Sequence, residues 1–276
     1  MSLAQHTDVQ LRFRQQVINS ETYVTSFIEE VFPIQAGMHV MEIGCGEGGV
    51  LVPFLKKGCR CVGVDLVAFR ITLAEQFLQE YIQNGTLRLI NKNIYDLDFL
   101  GEFQHSFDLI LLKDAIEHIP DQDKLMGYLK NLLKPGGAIY LGFPPWYMPH
   151  GGHQQICRNK VLSMFPYIHL LPAPVYRSIL KIGKESPATV KELMEIKETG
   201  ISIERFQRIL DQNNYTIVHK RFYLINPIYQ YKFGWKPRVQ FRFIAGIPFF
   251  RNFITTCVYY LVKDKDVVQE DAYKQA

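Results

Sequence analysis

The sequence predicts an α/β protein built on a doubly wound, mostly parallel sheet of seven strands, the Rossmann-like architecture. Short apolar runs typical of buried strands alternate with amphipathic helical stretches over about 100 residues. A glycine-rich turn follows the first of these runs, and an acidic residue ends the second. The 276 residues fit a single domain of this class with room for insertions.

The predicted elements alternate in the order that such a sheet requires. Strands are expected at residues 38–43, 59–65, 87–91, 107–112, 138–143, 215–224 and 254–262. Helices are expected at residues 17–32, 50–57, 70–83, 121–133, 188–198 and 202–212. We interpret residues 1–276 as one domain with an N-terminal helical segment, 1–37, and two insertions. The first, 144–200, is predicted to be a lid over the substrate, and the second, 225–253, is basic and aromatic.

The composition is typical of a globular protein and excludes several classes. Hydrophobic residues make up 47% and charged residues 21% of the chain, and a net charge of +4 is too small to indicate nucleic-acid binding. Five cysteines without a CxxC pair indicate neither a disulfide framework nor a zinc ribbon. We see no signal peptide and no apolar run of the roughly 18 residues that span a bilayer. A cytoplasmic location is therefore expected, and the sequence does not indicate an oligomeric state.

The glycine-rich turn predicts a site for an adenosine-containing cofactor. It reads Glu42-Ile43-Gly44-Cys45-Gly46 and stands between a strand and a helix, where a ligand approaches the backbone closely. Asp65 ends the next strand, about 20 residues later, where its carboxylate can accept hydrogen bonds from ribose hydroxyls. Because Gly44, Gly46 and Gly49 also fit the dinucleotide pattern, an NAD-dependent oxidoreductase remains an alternative.

Two features favour S-adenosylmethionine over a dinucleotide. Glu42 would attract a cationic ligand and repel a pyrophosphate, and the turn contains no lysine or arginine. A non-catalytic S-adenosylmethionine-binding or membrane-associated module is the other alternative.

Residues 38–145 resemble the class I S-adenosylmethionine-dependent methyltransferases, in the branch of small-molecule enzymes of the ubiquinone-biosynthesis type. The resemblance rests on the E-x-G-x-G turn, Asp65, the segment Asp114-Ala115-Ile116-Glu117-His118-Ile119 and the stretch Leu133-Lys134-Pro135-Gly136-Gly137. It implies methyl transfer from S-adenosyl-L-methionine to a small-molecule or lipid-like acceptor. It also assigns cofactor contacts: the methionine end to Glu42, Gly44, Cys45, Gly46 and Lys113, the ribose to Asp65, and the adenine to Leu66, Asn93 and Ile94.

Three histidines are candidates for a general base, which an oxygen nucleophile would need. His118 follows the fourth strand, and His150 and His153 lie in the lid. His150, His153 and Cys157 are spaced like metal ligands, but no fourth ligand is near and we predict no metal. His118 with Glu117 is equally well interpreted as a structural brace, and the lid histidines as part of a surface loop.

The stretch from residue 215 to 263 indicates a contact with a negatively charged surface or substrate. It contains no acidic residue, and aromatic residues alternate there with Lys220, Arg221, Lys232, Lys236, Arg238, Arg242 and Arg251. Such a segment suits peripheral contact with anionic lipid, in keeping with an amphipathic acceptor. The plainer interpretation is a packed aromatic insertion whose cations reach water.

Overall fold

The structure is a computed structural model that describes residues 8–268, apart from the side chain of Leu97. Its strands are β1 (His39–Ile43), β2 (Arg60–Val64), β3 (Leu87–Ile90), β4 (Phe107–Lys113), β5 (Leu133–Phe143), β6 (Tyr215–Ile225), β7 (Arg238–Val239) and β8 (Cys257–Asp264). They form one sheet in the order β3-β2-β1-β4-β5-β8-β6-β7. The first five are parallel, and β8 runs antiparallel to both β5 and β6. This confirms the predicted α/β fold.

Helices cover both faces of the sheet and fill the two insertions. They are α1 (Val9–Asn19), α2 (Thr25–Glu29), α3 (Val52–Lys56), α4 (Ala68–Phe77), α5 (Gln79–Gln83), α6 (Leu97–Phe103), α7 (Gln122–Lys130), α8 (Lys160–Met164), α9 (Ala173–Ile182), α10 (Pro187–Thr199), α11 (Ile203–Gln212), α12 (Tyr229–Phe233), α13 (Arg242–Ala245) and α14 (Phe250–Ile254). A π-helical turn, Ser20–Val24, joins α1 to α2. Among residues 8–268, no helix is both long and apolar enough to cross a membrane.

Several predicted bounds differ from the structure. The sheet has eight strands because the two residues of β7 pair antiparallel with the end of β6. The first helix begins at Val9 and not at residue 17, and α6 was not predicted. The predicted helix 70–83 is interrupted at Leu78, where φ is −118°. The last strand, β8, begins at Cys257, three residues later than predicted, because residues 250–254 form α14.

Alternating residues of the central strands build two hydrophobic layers, one on each face of the sheet. Met41, Ile110 and Leu141 belong to the layer that packs against α7 and α11. Val40, Leu111 and Tyr140 belong to the other, which packs against Phe27 of α2 and Phe54 of α3. Because both faces are covered, the strands are apolar nearly throughout, as expected of buried parallel strands.

Both insertions begin at the edge of the sheet where the parallel strands end, which we call the carboxyl edge. Residues 144–200 leave β5 there, and the residues between β6 and β8 lie there because β8 starts beside the end of β5. Ligands bind at this edge in open α/β sheets. The topology therefore places both insertions beside the glycine-rich turn.

Candidate functional site

The glycine-rich turn is held open by hydrogen bonds to the neighbouring strand. Gly44 and Gly46 have φ angles of 72° and 53°, a region that a residue with a side chain rarely adopts. The amides of Gly44 and Cys45 both donate to the carbonyl of Val64, at 2.8 and 3.1 Å. A Cβ on Gly44 would lie 3.1 Å from the Cβ of Ala115, so the turn also needs glycine for space.

Asp65 stands at the carboxyl end of β2, as predicted, and connects the turn to the next helix. Its Oδ2 accepts from the amide of Gly46 and its Oδ1 from the amide of Val67, both at 2.8 Å. Each carboxylate oxygen has lone pairs for a second donor, so the side chain remains able to accept from ligand hydroxyls. Its orientation is thus fixed before a ligand arrives.

Glu42 lies on β1 directly below the turn and is 1% exposed. Burial raises the pKa of its carboxyl group well above the usual value, although the nearby Lys113 acts in the opposite direction. Within residues 8–268, its Oε2 atom has no hydrogen-bond partner. A buried carboxyl oxygen without a donor is costly, and a ligand ammonium group would satisfy it.

Lys113 and Asp114 form an ion pair at the end of β4. Burial opposes the charge on Lys113, but the Asp114 carboxylate outweighs it and raises the pKa of the amine. Asp114 has a φ of 51°, and its amide donates to the carbonyl of Gly142 at 2.7 Å. Strained backbone of this kind is common where a side chain is held for function. The side chain of Lys113 is engaged in this ion pair, so the predicted ligand contact would involve the Lys113 backbone carbonyl.

The remaining predicted cofactor residues lie around the same edge. Leu66 is 70% exposed beside Asp65, whereas Ile94 is 6% exposed. The exposed Asn93 accepts from the amide of Tyr95 at 3.0 Å through Oδ1. The Cys45 side chain is buried, and burial raises the pKa of its thiol well above normal, so it is protonated and no nucleophile.

Glu117, His118 and His153 come together across the boundary between β4 and the lid. One ligating atom of each lies within 4.8 Å of the others, and the two imidazole rings are 4.9 Å apart. Burial raises the pKa of Glu117 well above the usual value, and Asp114 raises it further. Burial also lowers the pKa of His118, and it lowers that of His153 to about 4. Both imidazoles are therefore neutral near pH 7 and can accept a proton, and such a group could also hold a divalent ion.

His150 is not one of the three clustered groups. It lies beside the Met164 backbone at the end of α8, and burial lowers its pKa. Trp146 is also turned into the lid, where its ring lies 4.6 Å from that of His169 and its amide donates to Ile201 at 2.9 Å. Of the two predicted lid histidines, only His153 therefore joins His118.

The predicted lid, residues 144–200, is anchored to the cluster by its last helix. α10 ends at Thr199, whose hydroxyl donates to the carbonyl of Glu117 at 2.6 Å. Gln122 of α7 donates to the carbonyl of Thr199 at the same distance. The backbone that presents Glu117 and His118 is therefore tied to residues 144–200.

Two further contributors were not predicted from the sequence. Helix α1 crosses the glycine-rich turn, where Arg12 forms an ion pair with Glu47, which is 1% exposed. Lys232 of α12 is turned inward, where burial lowers its pKa and the Asp114 carboxylate partly offsets that. Lys232 belonged to the predicted lipid-facing cations, and no local pattern distinguishes it from them.

Comparison with known proteins relates this site to methyl transfer. A family model described as a methyltransferase domain matches residues 13–172, more than half of the chain. A ubiquinone biosynthesis O-methyltransferase of Coxiella burnetii is 29% identical over 114 residues, which cover 41% of this chain and 46% of the relative. Its mitochondrial counterpart in Dictyostelium discoideum is 30% identical over 115 residues, with 38% and 35% covered. The chain spans less than half the length of these relatives.

Solved structures show the same fold. A geranyl diphosphate C-methyltransferase from Streptomyces coelicolor, in complex with Mg2+, geranyl diphosphate and S-adenosyl-L-homocysteine, has a TM-score of 0.54 at 15% identity, with 88% of this chain and 80% of that one covered. A phosphoethanolamine N-methyltransferase 2 from Haemonchus contortus has a TM-score of 0.52 at 14% identity, with 86% and 51% covered. At such identities the likeness shows the fold alone.

Proposed function

Since the chain belongs to the class I S-adenosylmethionine-dependent methyltransferases, we propose that it transfers the methyl group of this cofactor to a small-molecule or lipid-like acceptor at the carboxyl edge. The observation that supports this most directly is the pairing of Asp65 with the amide of Gly46 at 2.8 Å, which holds a carboxylate beside the glycine-rich turn. The match of residues 13–172 to a methyltransferase domain favours this function over an oxidoreductase or a non-catalytic module.

The buried groups fit the cofactor. The unpartnered Oε2 of Glu42 suits the ammonium group of the methionine end, and the backbone of Gly44 to Gly46 leaves room beside it. Asp65 would accept from the ribose hydroxyls, and Leu66 with Ile94 would flank the adenine. The Lys113 carbonyl would face the ammonium group while its side chain stays paired with Asp114.

The chain's own residues then have three tasks, because the bound cofactor supplies an already activated methyl group. The site must align the acceptor oxygen with the methyl carbon at about 3 Å and exclude water. A neutral His153, or His118 beside it, takes the proton of the acceptor hydroxyl as the oxygen attacks. The Glu117 carboxyl lies beside both imidazoles, with an oxygen within 4.8 Å of a ring nitrogen of each.

The acceptor is proposed to be amphipathic and presented at a membrane by residues 225–253. This insertion follows β6 at the carboxyl edge and exposes Trp235, Phe243 and Phe249 by 56%, 71% and 65%. Large exposed aromatic surfaces mark contact sites on otherwise polar proteins. We place this contact next to the mouth of the site, where a lipid-like acceptor would enter.

Titration calorimetry with S-adenosylhomocysteine tests the cofactor assignment. We expect a dissociation constant in the micromolar range. Asp65→Ala should make the free energy of binding less favourable by roughly 1.5–3 kcal/mol, because charge-assisted hydrogen bonds are lost. Asp98→Ala is the matched control, since this carboxylate is exposed and forms its ion pair with Lys92. Unchanged affinity in Asp65→Ala, or tighter binding of NADH than of S-adenosylhomocysteine, would contradict the proposal.

A further inference from the structure

We propose that the lid contributes a second membrane contact, formed by the outer surface of α8 and α9, and that it joins residues 225–253 in one face that docks on an anionic bilayer. This rests on the proposed function, because the bilayer would present the acceptor. The added contact lies on α8 and α9, outside the basic and aromatic stretch of residues 215–263. The docking face is defined here as the exposed side chains of residues 156–184 and 233–253.

The charge of this face has one sign. Residues 144–184 and 226–256 contain neither aspartate nor glutamate, so their charged residues are lysines and arginines. Glu185 directly follows the first of these ranges. Two of these cations are used internally: Lys232 points toward Asp114, and Arg251 pairs with Glu204 at 2.9 Å. The exposed cations are Arg158, Lys160, Arg177, Lys181, Lys184, Lys236, Arg238 and Arg242. Within residues 8–268, no carboxylate forms an ion pair with any of these eight.

Large apolar side chains lie among these cations. On the lid, Met164 of α8 is 73% exposed and Ile182 of α9 is 81% exposed, although Tyr176 and Leu180 of α9 are buried beneath. α9 is thus amphipathic, with one face in the lid core and the other in solvent. A shallow groove of about 300 Å³ runs beside α8, lined by Lys160, Val161, Met164, Phe165 and Pro166. Apolar side chains ringed by cations suit the headgroup region of an anionic membrane.

The two parts of the face meet at a defined seam. The hydroxyl of Tyr167, which follows α8, donates to the carbonyl of Phe253 in α14 at 3.1 Å. The ring of Tyr147 lies 5.5 Å from the ring of Phe253. Phe165 and Phe250, on either side of this seam, are 57% and 52% exposed. The lid and residues 225–253 therefore present one surface.

Position favours a bilayer over other occupants of this surface. Both insertions start at the carboxyl edge, beside His153 and Lys232, so docking would turn the mouth of the site toward the membrane. A second copy of the chain would bring like charges together, because the eight exposed cations have no carboxylates among them. An anionic lipid surface complements both the charge and the apolar side chains.

Flotation of the full chain with phosphatidylglycerol-containing vesicles tests the second contact without any cofactor. We expect binding at low salt, weaker binding at high salt, and little binding to pure phosphatidylcholine. The lid variant Met164→Ser/Phe165→Ser/Ile182→Ser should weaken binding by about tenfold or more, and so should Lys160→Glu/Lys181→Glu. All five side chains are at the surface, and circular dichroism checks the fold of each variant.

The controls separate this proposal from its rivals. Val31→Ser and Arg60→Glu remove an exposed apolar residue and an exposed cation near the opposite edge, and should leave vesicle binding unchanged. The second contact is overturned if the lid variants bind normally while Phe241→Ser/Phe243→Ser does not. It is also overturned if light scattering shows a dimer that the lid variants dissociate. Binding of S-adenosylhomocysteine and methylation of a water-soluble acceptor, measured without vesicles, report separately on the proposed function.

Discussion

At the scale of single residues, burial sets the protonation of the candidate base. His153 would be half charged at pH 6.5 in water, but burial, together with a smaller effect of the neighbouring His118, lowers its pKa to about 4. Its φ of 55° shows that the lid backbone is held in an uncommon conformation to place this ring. The result is an imidazole that remains neutral, and so able to accept a proton, well below the usual histidine range.

Replacing His153 tests its role as the base. With a hydroxyl acceptor, His153→Asn should lower kcat by 10²- to 10⁴-fold, the usual contribution of general base catalysis, while S-adenosylhomocysteine affinity changes little. The wild-type kcat/KM should begin to fall only as the pH approaches 4, because protonation of His153 removes the base. His39→Gln, at the opposite edge, is the control.

Two results would contradict this assignment. An unaffected His153→Asn variant would point to His118 as the base, or to a nitrogen or carbon nucleophile that needs none. Loss of turnover in a chelator, with recovery on adding Zn2+, would indicate that Glu117, His118 and His153 act as metal ligands instead.

The sequence predicted the positions of residues that belong to a motif of fixed spacing. It did not predict residues that reach the site only through tertiary packing. Asp65 was placed correctly because a strand and a turn at fixed spacing define its position. Lys232 was grouped with surface cations because nothing near it in the chain shows that α12 turns inward. The predicted roles of the cofactor and catalytic residues stay predictions.

At the scale of secondary-structure elements, α1 is the least expected part of the fold. Polar residues outnumber apolar ones over residues 9–16, so hydrophobic periodicity predicts a helix only from residue 17 onward. The structure shows why the polar residues are there: Arg12 pairs with the buried Glu47, and Gln16 lies so close that a Cβ on Gly49 would be 2.7 Å from its Cβ. α1 also reaches the second insertion, where Gln15 donates to the carbonyl of Tyr231 at 3.4 Å.

We expect Arg12→Ala to loosen α1 from the turn. Removing one partner leaves the carboxylate of Glu47 buried without its counter-charge, which destabilises the packing of α1 against the turn. Trypsin should cut at Arg14 several times faster than in the wild type, and S-adenosylhomocysteine should dissociate faster in stopped-flow measurements. Lys57→Ala, which removes an exposed pair with Glu29, should change neither rate. Equal cleavage rates in all three proteins would show that this ion pair does not hold α1 in place.

At the scale of the whole molecule, one sheet supports two insertions on a single edge, and residues 144–184 and 226–256 of these insertions and their flanks contain no acidic residue. The parallel half of the sheet supplies the turn, Asp65 and Glu42, and the antiparallel strands β6 and β8 return the chain to the same edge. A buried histidine packs inside residues 144–200. His169 is fully buried, and its ring pairs with the Trp146 carbonyl at 2.8 Å.

His169 should make stability depend on pH. Burial lowers its pKa from 6.5 to about 4, so between these values the unfolded chain binds a proton that the folded chain does not. Its contribution is complete above pH 6.5 and is lost as the pH falls toward 4, by at most about 3 kcal/mol. Urea unfolding at pH 7.5 and 4.5 measures this as the difference between wild type and His169→Gln. Comparing the two proteins cancels the carboxyl groups, such as Glu42, whose raised pKa acts in the opposite sense. A difference that is the same at both pH values would contradict it.

The two margins of the sheet have a consequence for handling the protein. β3 has four residues and β7 only two, and each presents an exposed arginine, Arg88 or Arg238. A long, flat margin displays unpaired amides and carbonyls on which another chain can add as a strand, the first step toward fibrils. Short, charged margins offer little template for such growth. The fold thus combines the proposed docking face around its site with sides that discourage strand-by-strand aggregation.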